Sequence, residues 1–495
     1  MASIKMNMDL ARNDLARVFL FRDGIYKVGG GAEFLNALGV DGLSQDRGDI
    51  TSIEAPSPIR YGEFVEVSAL PGEVSRMTTS LSGRMSRTEL SAFYSLFNDN
   101  CKFDLHLHFG QCQRPDDFNQ YDKVMVLEDV FVTSFSTDPL VAIQSGDRAA
   151  INESIDISIG SFYEIVSLIY SSRATGQILA TDGPIAAVRM CDIKSCGDAC
   201  TDRSNGCLKG FAVTNDGFIF STVDGGQSWT RLAMVNNQSA APVSAIVDMI
   251  CYQENVIVLD AAGNFWYADR EELLAGNVTQ FNVQASGLTV GNAIDSFLGT
   301  AVAVGNSGQV VVMKNQTIAT FTSTVLGAQN LLAVNISQNG YIVAVGANGA
   351  VYFSKDGSTW NTATAPANQS LTSVVVKSDT NWIVGAANGS LWATDNRGVT
   401  WSQISYPDWL TASTPVNDLT MSTPHVLWMA QGTRLLRSID GGTSWTVEPN
   451  NRTASITAAE ITAVGSCLFD PNFILVGGAI GSPTQKALIV SGSAI

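Results

Sequence analysis

Histidine and basic residues are scarce in this chain: 3 histidines in 495 residues, and 29 Lys and Arg against 46 Asp and Glu. Each shortage excludes something. A nucleic-acid-binding surface neutralises phosphates with clustered Lys and Arg, and a chain of net charge −17 has no such surplus. Residues 1–172 hold 14 basic and 24 acidic side chains, net −10, and the remainder hold 15 and 22, net −7. This balance suits a surface past which nucleic acid slides without sticking. No apolar run approaches the ~18 residues of a membrane span, so no membrane insertion is expected. Residues Met1–Asp14 contain no apolar h-region, which predicts no secretory signal peptide and synthesis in a cytoplasm. Gly29-Gly30-Gly31-Ala32-Glu33 lacks the Lys-Ser/Thr pair of a phosphate-binding loop and reads as a turn. His106 and His108 share one face of the strand Phe103–Phe109 without an evident third ligand, so that face is expected to be solvated rather than metal-binding. His425 reads as a loop residue. No metal or cofactor is expected.

What is abundant is glycine, with 44 residues, together with Asn, Ser and Thr, the composition of a turn-rich β protein. Four copies of one phrase punctuate the last 280 or so residues. Thr222-Val223-Asp224-Gly225-Gly226-Gln227-Ser228-Trp229 and Ser438-Ile439-Asp440-Gly441-Gly442-Thr443-Ser444-Trp445 are complete. Ser354-Lys355-Asp356-Gly357-Ser358-Thr359-Trp360 is one residue short, and Ala393-Thr394-Asp395-Asn396-Arg397-Gly398-Val399-Thr400-Trp401 reads as carrying one extra around Asp395. An Asp carboxylate accepts hydrogen bonds from the turn's own N–H groups, glycine permits positive φ, and the Trp is an apolar anchor. The phrase stabilises a turn and performs no reaction. Around it lies a longer period: turn glycines Gly217, Gly263, Gly308, Gly349, Gly389 and Gly432 are spaced by 46, 45, 41, 40 and 43 residues. That spacing fits a four-stranded propeller blade. A seventh unit begins at Phe473–Gly477 and Lys486–Ser491, short of an outer strand, which Gln177–Thr181 is expected to supply. The reading is seven blades, with six or eight open.

The phrase S-x-D-G-G-x-[ST]-W is the Asp box, and these residues resemble the hairpin turns of sialidase-like and photosystem-assembly-factor-like β-propellers. The sialidase alternative requires three converging arginines and an acid/base and nucleophile set. The nine arginines from Arg173 on are scattered, none lies in an Arg-Ile-Pro phrase, and no convergent carboxylate pair is evident. A non-enzyme is expected.

Residues 1–172 lack the blade period. Phe103–Phe109 and Ile151–Ile159 alternate as half-buried strands. Ser86–Phe97 predicts a helix, with a Ser86-x-x-Glu89 capping box and Leu90, Phe93, Tyr94 and Phe97 on one face. An antiparallel β-sandwich or half-barrel with one helix follows. Val126–Thr137, a polar loop, then Ala150–Phe162 resembles the closing half of phage tail tube proteins and the related tube proteins of type VI secretion. The resemblance covers roughly residues 75–165 and rests on pattern. It implies homo-oligomeric rings stacked into a tube that passes DNA, joined to other tail proteins within a virion.

Cys191, Cys196, Cys200 and Cys207 fall within 17 residues. Spacings of x4, x3 and x6 without a nearby His do not match the usual zinc pattern, so two disulfides fastening an insertion of the first blade are expected, with reduced thiols or a metal site as the alternatives. Cys251 and Cys467 lie in apolar runs and read as core. Trp409, in an inter-blade loop, is the residue that would stack on a sugar ring of a host-surface glycan. The whole reads as a mainly β, two-domain structural protein: residues 1–172 a tail-tube-like assembly domain, residues 173–495 an outward-facing seven-bladed propeller. A sheath-less tube is expected, because a propeller on every subunit obstructs a sheath. A glycan-binding adhesin is the alternative.

Overall fold

The computed structural model describes residues 17–21, 33–35, 37–40, 77–85, 92–99, 101–109, 123–138 and 151–171 of the first third of the chain. Beyond these it describes 178–179, 182–191, 207–235, 244–278, 280–297, 299–314, 321–404, 414–448, 460–468, 470–481 and 486–493. The chain divides into two compact units between Ile165 and Val166, ahead of the expected border at 172/173.

The first unit contains β1 (Arg17–Phe21), β2 (Glu33–Leu35), β3 (Ala37–Val40), β4 (Met77–Met85), α1 (Ala92–Asp99), β5 (Phe103–Phe109), β6 (Lys123–Asp138), β7 (Ile151–Ile159) and β8 (Ser161–Val166). Its strands form one eight-stranded sheet of order β2-β1-β5-β6-β7-β4-β3, with β8 also pairing β6. The 16 residues of β6 serve two partners: the first half pairs β5 and the second pairs β7. Between the halves, Asp129 takes φ +54°, and its N–H donates to the Asp104 carboxylate at 2.8 Å. Leu105, Leu107 and Leu127 from one half and Val132, Ile155 and Ile157 from the other then share a single core.

Two expectations need correction here. The Ser86–Glu89 capping box lies outside the described residues, and α1 buries Leu96 while Tyr94 and Phe97 stay exposed. The contact line runs along Leu96, so these aromatics flank it and meet Phe135 with ring centroids 5.6 and 6.2 Å away. Secondly, β5 is not half-solvated: His106 and His108 are fully buried, as are Leu105 and Leu107. Alternation fixes which residues share a face, but β5 lies inside the sheet and both its faces are covered, Phe21 lying 4.5 Å from the His106 ring.

Burial pushes His108 down to about 3. An unfolded His binds a proton below about 6.5, the buried one resists until about 3, and stability therefore falls as pH drops through that window. The limiting slope for one such group is about 1.4 kcal/mol per pH unit. Urea unfolding of the chain between pH 7 and pH 5 should show this loss, and His108→Phe should flatten it; an unchanged slope in the variant refutes the assignment.

The second unit is a ring of seven four-stranded antiparallel sheets. The inner strands are Ile185–Met190, Ile246–Tyr252, Gly291–Phe297, Leu331–Ile336, Leu371–Val376, Val416–Met421 and Glu460–Ser466. Each packs on the next, and the last packs on the first. The apolar clusters span neighbouring blades; Val375 and Ile383 of blade 5 pack with Leu419 and Trp445 of blade 6. Trp382 and Trp428 are both fully buried, but they are not equivalent: Trp382 pairs with Val376 in blade 5, where Leu427 pairs with Met421 in blade 6, and Trp428 corresponds to Ile383. Burial between sheets is what makes the ring cohesive.

The seventh blade is completed by β9 (Ile169–Ser171), which pairs with Lys486–Ser493. Gln177–Thr181 does not do this. Of that segment only Ile178 and Leu179 are described, neither in a strand, and Leu179 is exposed with its N–H bonded to Asp182 at 2.7 Å. The chain enters the ring earlier because Leu168 and Tyr170 are the residues with sockets to fill, being 0% and 4% exposed.

Candidate functional site

The Asp boxes are turns whose polar atoms are used internally. In blade 1, Asp224 accepts from Ser228 N–H at 2.9 Å and from the hydroxyls of Ser228 and Thr222 at 2.5 and 2.8 Å. Asp440 repeats this with Ser444 N–H at 2.9 Å, Ser444 Oγ at 2.5 Å and Ser438 Oγ at 2.8 Å. In the shorter box, Asp356 takes the N–H groups of Ser358 and Thr359, each at 2.8 Å, which hold its carboxyl well below the usual range. Trp229 and Trp445 are buried; Trp360 and Trp401 are partly buried. Each box docks on the preceding blade: a Cβ on Gly442, at φ +97°, would meet Ile383 of blade 5 at 2.3 Å. Lys377 of blade 5, buried and pushed down to about 7 by that burial against the pull of Asp440, donates to Gly441 O at 2.7 Å.

The fourth phrase is not an Asp box with an insertion. Asp395 is exposed, and Asn396 takes the acceptor role, receiving Thr400 N–H at 2.9 Å and Thr394 Oγ1 at 3.0 Å. The register is therefore Thr394-x-Asn396-Arg397-Gly398-x-Thr400-Trp401, full length, with Asn for Asp and Arg397 in the left-handed place of a glycine at φ +61°. Arg397 is secured there by its N–H to Thr380 O at 3.0 Å and by its guanidinium on Asp379. Asn396→Ala is expected to cost about 1–3 kcal/mol by orphaning turn donors. Asp395→Ala should stay within about 0.5 kcal/mol. Thermal melts of the two variants decide it; the opposite ranking restores Asp395 as the box residue.

The ring encloses a polar channel with a cavity of about 220 Å³. Its wall is built by a shared device. Every inner strand has a β-bulge near its start, after the first residue in blades 1 to 6 and after the second in blade 7. The extra residue is then aimed at the neighbouring blade, as bulges re-aim side chains. Asn292 donates to Leu331 O at 2.7 Å, Thr372 to Val416 O at 2.6 Å, Asn417 to Ile461 O at 2.7 Å and Thr462 to Ile185 O at 2.5 Å. Acceptors further along the strands take N–H groups from the next blade: Asp248 from Ile294 at 3.0 Å, Asp295 from Ile336 at 2.8 Å, Asn335 from Val376 at 2.9 Å and Asp418 from Val464 at 3.0 Å. Arg189 of blade 1 reaches Asp248 at 2.9 Å and Asp418 at 3.8 Å. Burial pushes Asp248 and Asp418 up, Asp418 to about 6, although Arg189 pulls both down. Burial also opposes the Arg189 charge, but Asp248, Asp418 and Asp295 outweigh it. This channel can hold one small polar or cationic group. Sequence reasoning did not single it out; the signal was a polar residue in otherwise apolar inner strands, such as Asp248 in Ile246–Tyr252 and Asn335 in Leu331–Ile336.

The other candidates fall elsewhere. Cys191 is bonded to Cys251 and Cys207 to Cys467, so each half of these pairs fastens blade 1 to a different neighbour. Pairing within the cysteine segment is excluded for Cys191 and Cys207; Cys196, Cys200 and Trp409 lie outside the described residues. Sequence spacing misled because blade neighbours need not be sequence neighbours. His425 lies in the bend between Val416–Met421 and Leu427–Gln431, where it is buried and its carbonyl accepts Gly441 N–H at 2.9 Å. The described arginines are dispersed: Arg189 in the channel, Arg231 on Asp182, Arg270 on Glu271, Arg397 on Asp379 and Arg437 over Trp428. Among the described residues no group of three or more His, Cys, Asp or Glu is placed to hold a metal ion. No helix among them is long and apolar enough to cross a membrane.

Comparison with known proteins bears on the propeller. No curated protein matches the chain. The structure of YCF48 bound to D1 peptide is 16% identical, with 66% of this chain and 96% of that one covered, at a TM-score of 0.49. YCF48 from Cyanidioschyzon merolae is 15% identical, covering 65% and 98%, also at 0.49. The structure of U3-55K, 10% identical over 66% and 98% of the chains at a TM-score of 0.50, shares the fold. A family model, that of the photosynthesis system II assembly factor YCF48, matches residues 204–478. By that match, which runs from within blade 1 into blade 7 and covers more than half of the chain, the protein belongs to the YCF48 assembly-factor family.

Proposed function

We propose that the protein is a structural and recognition component rather than an enzyme. In this reading the first unit is a phage tail tube subunit that associates into rings. The rings stack into a sheath-less tube conducting DNA, and the propeller is carried outward as a partner-binding module. The observation that carries the non-enzymatic reading is the fate of the Asp-box side chains: Asp224, Asp356, Asn396 and Asp440 are all spent on their own turns. The channel carboxylates are likewise engaged by Arg189 and by backbone N–H groups. Membership of an assembly-factor family supports a protein partner for the propeller. The tube assignment is supported by the pattern of residues 75–165, the −10 charge of residues 1–172 and the polar ladder Ser80, Ser134 and Asp156 on one exposed sheet face. A host-surface glycan is the second reading for the propeller, favoured by the polar lining of its channel.

Negative-stain microscopy of the purified chain tests the assembly. Rings or tubes with projecting discs are expected; isolated particles at all concentrations sink the tube reading. Glycan-array binding lost on Asp295→Ala would favour the second reading of the propeller over the protein partner.

A further inference from the structure

Both disulfides described in the propeller fasten the same blade. Cys191 follows the inner strand of blade 1 and is bonded to Cys251, in the inner strand of blade 2. Cys207, ahead of the second strand of blade 1, is bonded to Cys467, which follows the inner strand of blade 7. Blade 7 is where the ring is sealed, by the three residues of β9. Blade 1 therefore sits at the seam.

Of the two junctions of this blade, the one with blade 2 lacks the side-chain-to-backbone bond that the others have among the described residues. The side-chain-to-backbone bonds of the channel wall join blades 2 and 3 (Asp248), 3 and 4 (Asn292, Asp295), 4 and 5 (Asn335), 5 and 6 (Thr372), 6 and 7 (Asn417, Asp418) and 7 and 1 (Thr462). Between blades 1 and 2, the described inner-strand residues supply no bond of this kind. In its place stand the Arg189–Asp248 ion pair and the Cys191–Cys251 bond. At the junction of blades 7 and 1, Thr462 is backed by the Cys207–Cys467 bond.

We propose that the propeller is a redox-locked ring, in which the two disulfides hold blade 1 in register and their reduction loosens this blade alone. A dithiol reductant supplies two electrons and two protons per bond: the S–S bond becomes two thiols and the dithiol becomes a disulfide. Attack requires access to one sulfur. Cys207 is partly exposed whereas Cys467, Cys191 and Cys251 are buried, so the bond to blade 7 is reduced first and the bond to blade 2 second. Apolar packing of Phe220 and Trp229 against Leu475 and Ile489 keeps the reduced blade attached but free to open. Because Arg189 rides on blade 1, reduction also frees the guanidinium that spans Asp248 and Asp418. The Arg189 bridge across the acidic channel is then held in an oxidising compartment and released in a reducing one.

Hydrogen–deuterium exchange of the full chain, with and without dithiothreitol, tests this. Reduction should raise exchange in Ile185–Met190 and Gly210–Thr214 by about tenfold or more, leaving blades 3 to 5 unchanged. Cys207→Ser/Cys467→Ser should show part of that rise without reductant, and thiol labelling during reduction should modify Cys207 and Cys467 before Cys191 and Cys251. Three outcomes overturn the proposal: equal exchange of blade 1 in both states, a uniform rise across all blades, or labelling of these four cysteines as free thiols in unreduced protein. The wild-type comparison decides the matter if the double variant does not fold.

Discussion

A propeller that starts at residue 173 is expected to melt roughly 5–10 °C below one that starts at Val166. The seven missing residues look like linker by sequence, yet they hold the outer strand of blade 7. Without β9, Ser491–Ser493 lose their pairing partner and become an open edge. Leu168 and Tyr170 leave sockets in which they are 0% and 4% exposed, and losing two such side chains removes roughly 3–6 kcal/mol of burial. The Tyr170 hydroxyl, which burial and then the Glu448 charge push well above its usual pKa, also stops donating to Glu448 at 3.3 Å. Circular dichroism melts of the two chains give the answer. Equal midpoints mean that β9 is dispensable and that the ring closes by inner-strand packing alone.

Arg437→Met should destabilise the propeller by about 3–5 kcal/mol, the cost of removing one partner from a buried charged network. Arg437 is only 4% exposed, and its guanidinium is the hub of the same seam. It donates to Val166 O at 2.9 Å and to Pro471 O at 2.7 Å, lies 4.7 Å over the Trp428 ring and approaches Glu448 at 4.0 Å. The substitution strands two carbonyls and leaves Glu448, 9% exposed, without its cation. Arg437→Lys keeps the charge, but one ammonium cannot span two carbonyls and stack on an indole, so an intermediate loss is expected. Chemical denaturation of the three proteins reads the series; a methionine variant within 1 kcal/mol of wild type refutes the hub. Because Arg437 holds Val166, its loss should add less in a chain that already lacks residues 166–172.

The repeat was legible because a blade is a local object. Four strands joined by short turns leave a period of 40–46 residues, and the boxes sit at fixed points within it. Composition, alternation and turn chemistry thus determined a mainly β chain with a propeller in its last two thirds, but placed the start of that propeller at 173, after the strand Ile169–Ser171 that closes it. Alignment inside one box failed for a local reason too. Asp395 matched the motif's letter, but the turn selects the acceptor two residues after Thr394, and Asn396 occupies it.

What joins distant parts of the chain had no sequence signal. Cys207 and Cys467 are 260 residues apart and Val166 and Arg437 are 271 apart, brought together only when the ring closes. Spacing within 191–207 therefore pointed to the wrong cysteine partners. His106 and His108 show the same limit in the first unit: alternation put them on one face, and the place of β5 between β1 and β6, with Phe21 against His106, decided that this face is buried. The channel is the strongest case. Arg189, Asp248, Asp295, Asn335 and Asp418 are isolated polar residues in separate strands, and only the seven-fold arrangement turns them into one site. Local propensity sets strands and turns, because it acts over a few residues. Ring closure sets the seam, the disulfides and the channel, because those contacts exist only between blades.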